Sequence, residues 1–429
     1  MNKKVPVSLL LTVVILAITV TFSITRVVAM RDFDTTMASV KEKENMYSKL
    51  AEIDRYVRDN DYFTSDETTL NDTLSSGYML GSGDKYAKYY TASAYADYVA
   101  VQNGTSMGIG VDAVKDANTG YARVIKVYAG SPAEDLGMTA GCYITAIDDT
   151  EVKALSNTDA ILSRLRGENG TTVNIKWLNA TAEESTNAIT RRSYTVTTVD
   201  FSLVNNSYGY IKISNFTDGT TSELDYAINT LKTEGATSLV FDLRDNPGTS
   251  LTTAIECIDL VCPEGVVASA DYGSANVAEL GSSSSDSAVN LPVVCIVNSA
   301  TASGAELFAS CARGLNGAKL VGTVTAGKGT IQSEPRMLSD GSAIVITVAR
   351  LLTYDGTSFD GTGLVPDVDR ALSSDEQGMY YDFTTDNDPQ ILKAFSVADS
   401  MTGASTVAAV TSEAAAGSTA SEAASPAAK

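Results

Sequence analysis

The sequence predicts a multi-domain α/β chain with α+β character, and three observations carry that expectation. From about residue 191 to 398, apolar strand-like runs alternate with helical stretches, as in a layered α/β core. Ahead of it, residues 104–180 hold short alternating segments separated by glycine-containing turns, which read as a small β-rich domain. At the start of the chain, Lys3 and Lys4 precede a long uncharged stretch that reads as a membrane anchor. The 429 residues allow two or three domains.

The uncharged stretch runs from Val5 to Thr25 and is closed by Arg26. As a helix it spans roughly 30 Å, the thickness of a bilayer core. Residues 1–30 are therefore expected to form an uncleaved signal anchor, because Val27-Val28-Ala29-Met30 offers no clean small-x-small cleavage site. The two lysines keep the N-terminus cytoplasmic. The expectation is a single-pass protein of the cell membrane with its domains outside; cleavage would make it secreted instead.

Residues 31–103 are polar and mostly helical in pattern. Met37, Val40, Met46, Leu50, Ile53 and Val57 recur at spacings that mostly suit an amphipathic helix. Asp84-Lys85-Tyr86-Ala87-Lys88-Tyr89-Tyr90 follows. Within 104–180, Ala122 to Val127 and Thr172 to Trp177 alternate as strands, Ser131 to Met138 starts on a serine and stops on a glycine like a short helix, and Asp159 to Arg166 is helical. In the core, Tyr208–Ile213, Ser238–Leu243 and Val293–Val297 read as strands, with Thr221–Thr233 and Ser303–Leu315 as helices. Residues 402–429 are almost wholly Ala, Ser, Thr, Glu and Gly, so they are expected to be a disordered tail.

Composition excludes several function classes. A formal charge of −21 opposes nucleic-acid binding, which depends on neutralising phosphates. The chain contains no histidine, so no Ser-His-Asp triad, Cys-His pair or HExxH zinc site exists. Five cysteines lie in apolar surroundings without a CxxC spacing and read as small buried hydrophobes; an odd count leaves at least one unpaired.

Two short motifs remain. Thr301-Ala302-Ser303-Gly304-Ala305-Glu306 joins an apolar strand to a helix through small residues. A serine there meets the unpaired N–H groups and positive dipole end of a helix, which favour a developing oxyanion, although serine is also an ordinary helix cap. Thr325-Ala326-Gly327-Lys328-Gly329-Thr330-Ile331-Gln332 places a lysine between two glycines. Alone it reads as a solvated turn; it is not a phosphate loop, because Gly329 stands where a metal-binding hydroxyl is required. Without histidine, lysine is the main remaining base for a serine nucleophile.

Together these motifs resemble the carboxyl-terminal processing peptidases (tail-specific serine peptidases), over about Tyr78 to Phe395. Asp242-Leu243-Arg244-Asp245-Asn246-Pro247-Gly248 is similar to the family's DLRxNPGG, and Gly327-Lys328-Gly329-Thr330-Ile331-Gln332 to its GKGxxQ. Asp355-Gly356 and Gly361-Thr362-Gly363-Leu364-Val365-Pro366-Asp367 resemble its closing element. The β-rich segment resembles a PDZ domain, with Gly108-Ile109-Gly110 where a peptide carboxylate is received. Thr249 stands where the family usually has a second glycine, and Gly304-Ala305 where it has Ala-Ser.

The resemblance implies a serine endopeptidase core over 191–398, with a PDZ domain inserted before it over 104–180. Ser303 would be the nucleophile, Lys328 the neutral base and Gln332 the residue holding the lysine nitrogen. Gly304 and Gly248 are the candidate oxyanion donors. No metal or organic cofactor is required. The implied partners are C-terminal tails of exported or membrane proteins; homo-oligomerisation stays open. The alternative is a non-catalytic PDZ-containing scaffold with a degenerate peptidase fold.

Overall fold

The computed structural model describes residues 43–284 and 289–403, together with Leu16, Thr21 and Arg26. The expected anchor therefore lies almost wholly outside the described residues, as does nearly all of the expected C-terminal tail. Among the described residues no helix is long and apolar enough to cross a membrane. The chain forms two units, Met1–Ser75 and Ser76–Lys429.

In the first unit, helix α1 (43–60) carries the expected stripe: Met46 and Val57 are half-buried, while Leu50 and Ile53 stay exposed. Arg58 pairs with Asp54 one turn back and with Glu67, the first residue of α2 (Glu67–Gly81). Next come β1 (Lys88–Tyr90) and α3 (Ala92–Gln102), whose first turn is capped by Thr91. The strand was not legible in the sequence, because β1 exists through antiparallel pairing with Ala343–Val345, far along the chain.

The β-rich region opens with β2 (Thr105–Gly108) and closes with β9 (Arg192–Thr195), which pair antiparallel so that the segment leaves and re-enters the core at one place. Between them lie β3 (Val111–Lys115), β4 (Ala122–Val127), α4 (Pro132–Asp135), β5 (Tyr143–Ile147), β6 (Thr150–Glu151), α5 (Thr158–Leu165), β7 (Thr172–Leu178) and β8 (Glu184–Thr190). The sheet order is β3-β4-β5-β7-β8, with β6 beside β5. Alternate residues of β7, Val173, Ile175 and Trp177, point into a separate core with Ile109, Ile144, Ile147 and Ile161. The sheet extends past residue 180 to β8, which alternates in burial but turns Ser185 and Asn187 inward beside the single fully buried Ile189, so its sequence shows no apolar alternation.

The second half is the layered α/β core. Its central sheet has the order β10-β11-β12-β15-β16-β21, formed by Val199–Val204, Tyr208–Ile213, Ser238–Asp242, Val293–Val297, Lys319–Gly322 and Val368–Asp369. β10 is antiparallel to β11, and from β11 to β21 neighbouring strands run parallel. β12 and β15 are buried throughout, as parallel strands covered on both faces must be. On one face Leu239, Phe241 and Cys295 pack against α6 (Thr220–Thr233), α7 (Leu251–Asp259) and α8 (Gly304–Asn316). On the other, Val240, Val294 and Ile296 meet Ile391 and Phe395 of the last helix, 389–403.

A second sheet, β14-β13-β20-β17, comprises Val277–Ser283, Gly265–Asp271, Thr347–Leu352 and Thr330–Gln332. A third joins β1 to β19 (Ala343–Val345) and β18 (Arg336–Met337). All five cysteines are free and buried. Burial pushes the Cys257 and Cys262 thiols up to about 12, so neither is a thiolate nucleophile near neutral pH.

Candidate active site

Three parallel strands, β12, β15 and β16, end on the same side of the central sheet, and each runs into one of the motifs. Crevices beyond the carboxyl ends of parallel strands are where such sheets bind ligands. β12 leads to Arg244-Asp245-Asn246-Pro247-Gly248, β15 to Ser303 and β16 to Lys328.

Ser303 is 8 % exposed and holds φ +53°, ψ −114°, outside the usual basins of a residue with a Cβ. Such strain costs about 1–3 kcal/mol and persists only when neighbours impose it. Three neighbours do so here. Ala302 N–H donates to Asn246 O at 2.9 Å, Gly304 N–H donates to Gly248 O at 3.3 Å, and Ser303 N–H donates to Glu306 Oε2 at 3.0 Å. Gly248 itself lies so close that a Cβ there would sit 2.2 Å from Ala302 O and 2.4 Å from Gly304 N, and its φ is +63°. Only glycine fits that position.

Glu306, fully buried in the first turn of α8, ties the serine loop to the lysine loop. Its carboxylate also accepts from Thr325 Oγ1, from Gly327 N–H at 2.8 Å and from Lys328 N–H at 2.9 Å. A buried charge is tolerated when hydrogen bonds saturate it, and the α8 N-terminus adds favourable dipole. The closing element braces the lysine loop from outside: Gly361 N–H donates to Gly327 O at 2.9 Å, and Gly329 N–H to Asp360 Oδ1 at 3.2 Å.

Ser303, Lys328 and Gln332 line one cavity of about 980 Å³, together with Tyr86, Lys88 and the tyrosines of α3. Burial lowers the Lys328 pKa, the nearby Lys88 charge lowers it further, and Glu306 opposes both. The direction is the one a general base requires. The Lys328 Nζ lies over the Tyr86 ring, 5.2 Å from its centroid.

Several expected contacts differ. The Gln332 amide nitrogen donates to Thr330 Oγ1 at 2.9 Å and Thr347 Oγ1 at 3.3 Å; among the described residues no hydrogen bond joins Gln332 to Lys328. The candidate oxyanion donors are already engaged, Gly304 N–H with Gly248 O and Gly248 N–H with Asn246 Oδ1 at 2.8 Å. Thr249 needs no glycine: its N–H and hydroxyl both donate to Asn215 Oδ1, and the positive φ falls on Gly248 instead.

In the β-rich region, Gly108 bridges to Arg166, and Ile109 is buried. Gly110 presses against Ser131 with φ +84°. The crevice between Ile109-Gly110-Val111 and α5, also lined by Arg166 and Tyr194, is too tight to admit water. Sequence reasoning did not single out Arg166 for a role there, nor Glu306 and Tyr86 for the roles they take at the other site.

A parallel α/β sheet presents a strained, buried serine and a partly buried lysine to one cavity, the groups a hydrolase with a serine nucleophile would need. The model of peptidase family S41 matches residues 207–370, which include both loops. The chain is 28% identical to the carboxy-terminal processing protease CtpA of Bacillus subtilis, covering 78% of this chain and 71% of that one. It is 31% identical to the carboxyl-terminal-processing protease of Synechocystis, covering 67% and 68%. A Bacteroides fragilis protein assigned to the S41 proteases shares the fold, with a TM-score of 0.51, 19% identity and coverage of 80% and 92%. The chain belongs to the carboxyl-terminal processing proteases of peptidase family S41, and it is a serine-type endopeptidase.

Proposed function

We propose that the protein cleaves exported proteins or peptides with a Ser303–Lys328 dyad after its β-rich, PDZ-like domain has bound their C-terminal tails. The observation that carries the reading is the shared cavity, onto which Ser303 and a lysine with depressed basicity both open. Lys328, neutral, takes the Ser303 hydroxyl proton as the oxygen attacks the scissile carbonyl, then passes it to the leaving amine. Water hydrolyses the acyl-enzyme by the same route. The long 3.3 Å bond from Gly304 N–H to Gly248 O is the one most easily exchanged for the developing oxyanion. Gly248 N–H joins it if the Asn246 side chain turns away.

Tail reading falls to the Gly108-Ile109-Gly110 loop. β3 is an edge strand of its sheet and lies beside α5, the arrangement needed for a peptide to add as a further strand. Arg166 at the crevice supplies a positive charge for a carboxylate. Peptide entry requires the crevice to widen. Val5–Thr25 holds the chain in the cell membrane with the catalytic domain outside.

The test is labelling by a serine-directed phosphonate, run alongside mass-spectrometric mapping of a cleaved tail peptide. Wild type is expected to carry the label on Ser303 and to cleave; Ser303→Ala is expected to do neither. Cleavage by Ser303→Ala would overturn the assignment.

A further inference from the structure

Gln332 is turned toward two threonines, and the Lys328 Nζ lies over the Tyr86 ring, 5.2 Å from its centroid. Tyr86 comes from the segment between α2 and α3, far from either catalytic loop in sequence. Its position is fixed by Asp84. One Asp84 carboxylate oxygen accepts from Tyr86 N–H at 3.0 Å and from Thr347 Oγ1 at 2.9 Å, and the other accepts from Thr347 N–H at 2.7 Å. Thr347 Oγ1 is also an acceptor for Gln332. Asp84, Thr347 and Gln332 thus form a polar frame that clamps the Tyr86 turn onto β20 beside the lysine. A second cation, Lys85, lies 4.7 Å from the same ring centroid.

We propose that Tyr86 is a positioning residue for Lys328: clamped by the Asp84–Thr347 bonds, its ring closes one side of the lysine and keeps water from Nζ. The inference rests on the reading of Lys328 as the base. The charged and titratable groups facing Nζ from the surrounding elements are Lys88 of β1, Glu306 of α8 and Tyr86 itself. Removing the ring leaves the two charges in place, removes the attraction of the ring face for the cation and admits water; at 5.2 Å the regained solvation outweighs that lost attraction, so the lysine becomes harder to deprotonate. Tyr86→Phe keeps the face of the ring and loses only the hydroxyl.

The experiment is kcat/KM against pH on the full chain for wild type, Tyr86→Phe, Tyr86→Ala and Lys328→Ala. Tyr86→Phe is expected to keep the wild-type inflection. Tyr86→Ala is expected to move it upward by about one pH unit, with about a tenfold loss below the inflection that is recovered at high pH. The inflection is read from the shape of the curve, so a smaller folded fraction lowers the plateau without moving it. Tyr86→Val, which also lacks the ring, replaces the alanine variant if that one does not fold. A Tyr86→Ala profile with an unmoved inflection, while Lys328→Ala is dead, overturns the role of Tyr86 alone. Activity retained by Lys328→Ala overturns the base assignment beneath it.

Discussion

The catalytic core and the β-rich region each present a glycine-containing loop to a candidate binding site, but the two sites are in opposite states. In the core, the serine and lysine loops border a cavity of about 980 Å³. In the β-rich region, the crevice beside Gly108-Ile109-Gly110 does not admit a water molecule. The difference follows from what each loop does for its own core. Ile109 is a core residue of its domain and draws its loop inward, whereas Ser303, although buried, lines the cavity, and its loop is fixed by the bonds of Ala302, Ser303 and Gly304 to Asn246, Glu306 and Gly248. Chemistry needs a preorganised loop; recognition of a tail tolerates one that has to open.

The comparison breaks most sharply at the dyad. Ser303→Ala and Lys328→Ala are each expected to lower cleavage by about 10⁴-fold or more, with the double variant little worse than either, because in the proposed mechanism the pair acts as a unit. Turnover near wild type in either single variant, measured on a tail peptide, would remove the dyad from the account. The next largest effect belongs to Gly248→Ala. Its Cβ collides with the serine loop, so kcat is expected to fall about 100-fold with a smaller change in KM; unchanged kcat would mean that the close approach does not shape the site.

The expected effects at the serine loop and at Gly248 were partly legible in the sequence, and the reason is local. A strand, a run of small residues and a helix start are contiguous in Val293–Asn316, and elements of that kind are written within a few residues of one another. Glu306 was visible only as a letter of the motif, because its role depends on Gly327 and Lys328, 21 and 22 residues away. Gln332 is legible as a letter of the lysine motif, but its side chain bonds Thr330 and Thr347, the latter on a neighbouring strand. Tyr86 carried no signal, since its place depends on a turn pinned to residues about 260 positions later. The strand β8 is not legible because two of its three inward positions are polar, Ser185 and Asn187, so the alternation in burial has no counterpart in hydrophobicity.

The β-rich site gives a milder test. A tail peptide as free acid is expected to be cleaved about tenfold more efficiently than its C-terminal amide, because the loop's N–H groups and Arg166 have no anion to meet in the amide. Equal cleavage of both forms would detach tail reading from Gly108-Ile109-Gly110.

A last effect concerns the stability of the frame behind the serine loop rather than the chemistry. Burial alone would raise the Asp242 carboxyl, but the Arg244 guanidinium, bonded to it and to Asp388, holds it down to about 2. A folded pKa below the unfolded value stabilises the fold above pH 4, and that contribution is lost as pH falls through about 2. The stability advantage of wild type over Asp242→Asn is therefore expected to shrink by about 2 kcal/mol between pH 5 and pH 2 in urea titrations. A constant difference would show that the pair is not coupled to folding.

The central claim, that a desolvated lysine does the work a histidine does elsewhere, is tested most directly by the pH dependence of kcat/KM. The chain has no imidazole to contribute a transition near neutrality. Lys328 is expected to give a rate that rises with pH through an apparent pKa below the ordinary lysine value of 10.5. A rate that stays flat from about pH 5 to about pH 10, across the range in which a depressed lysine titrates, would contradict it.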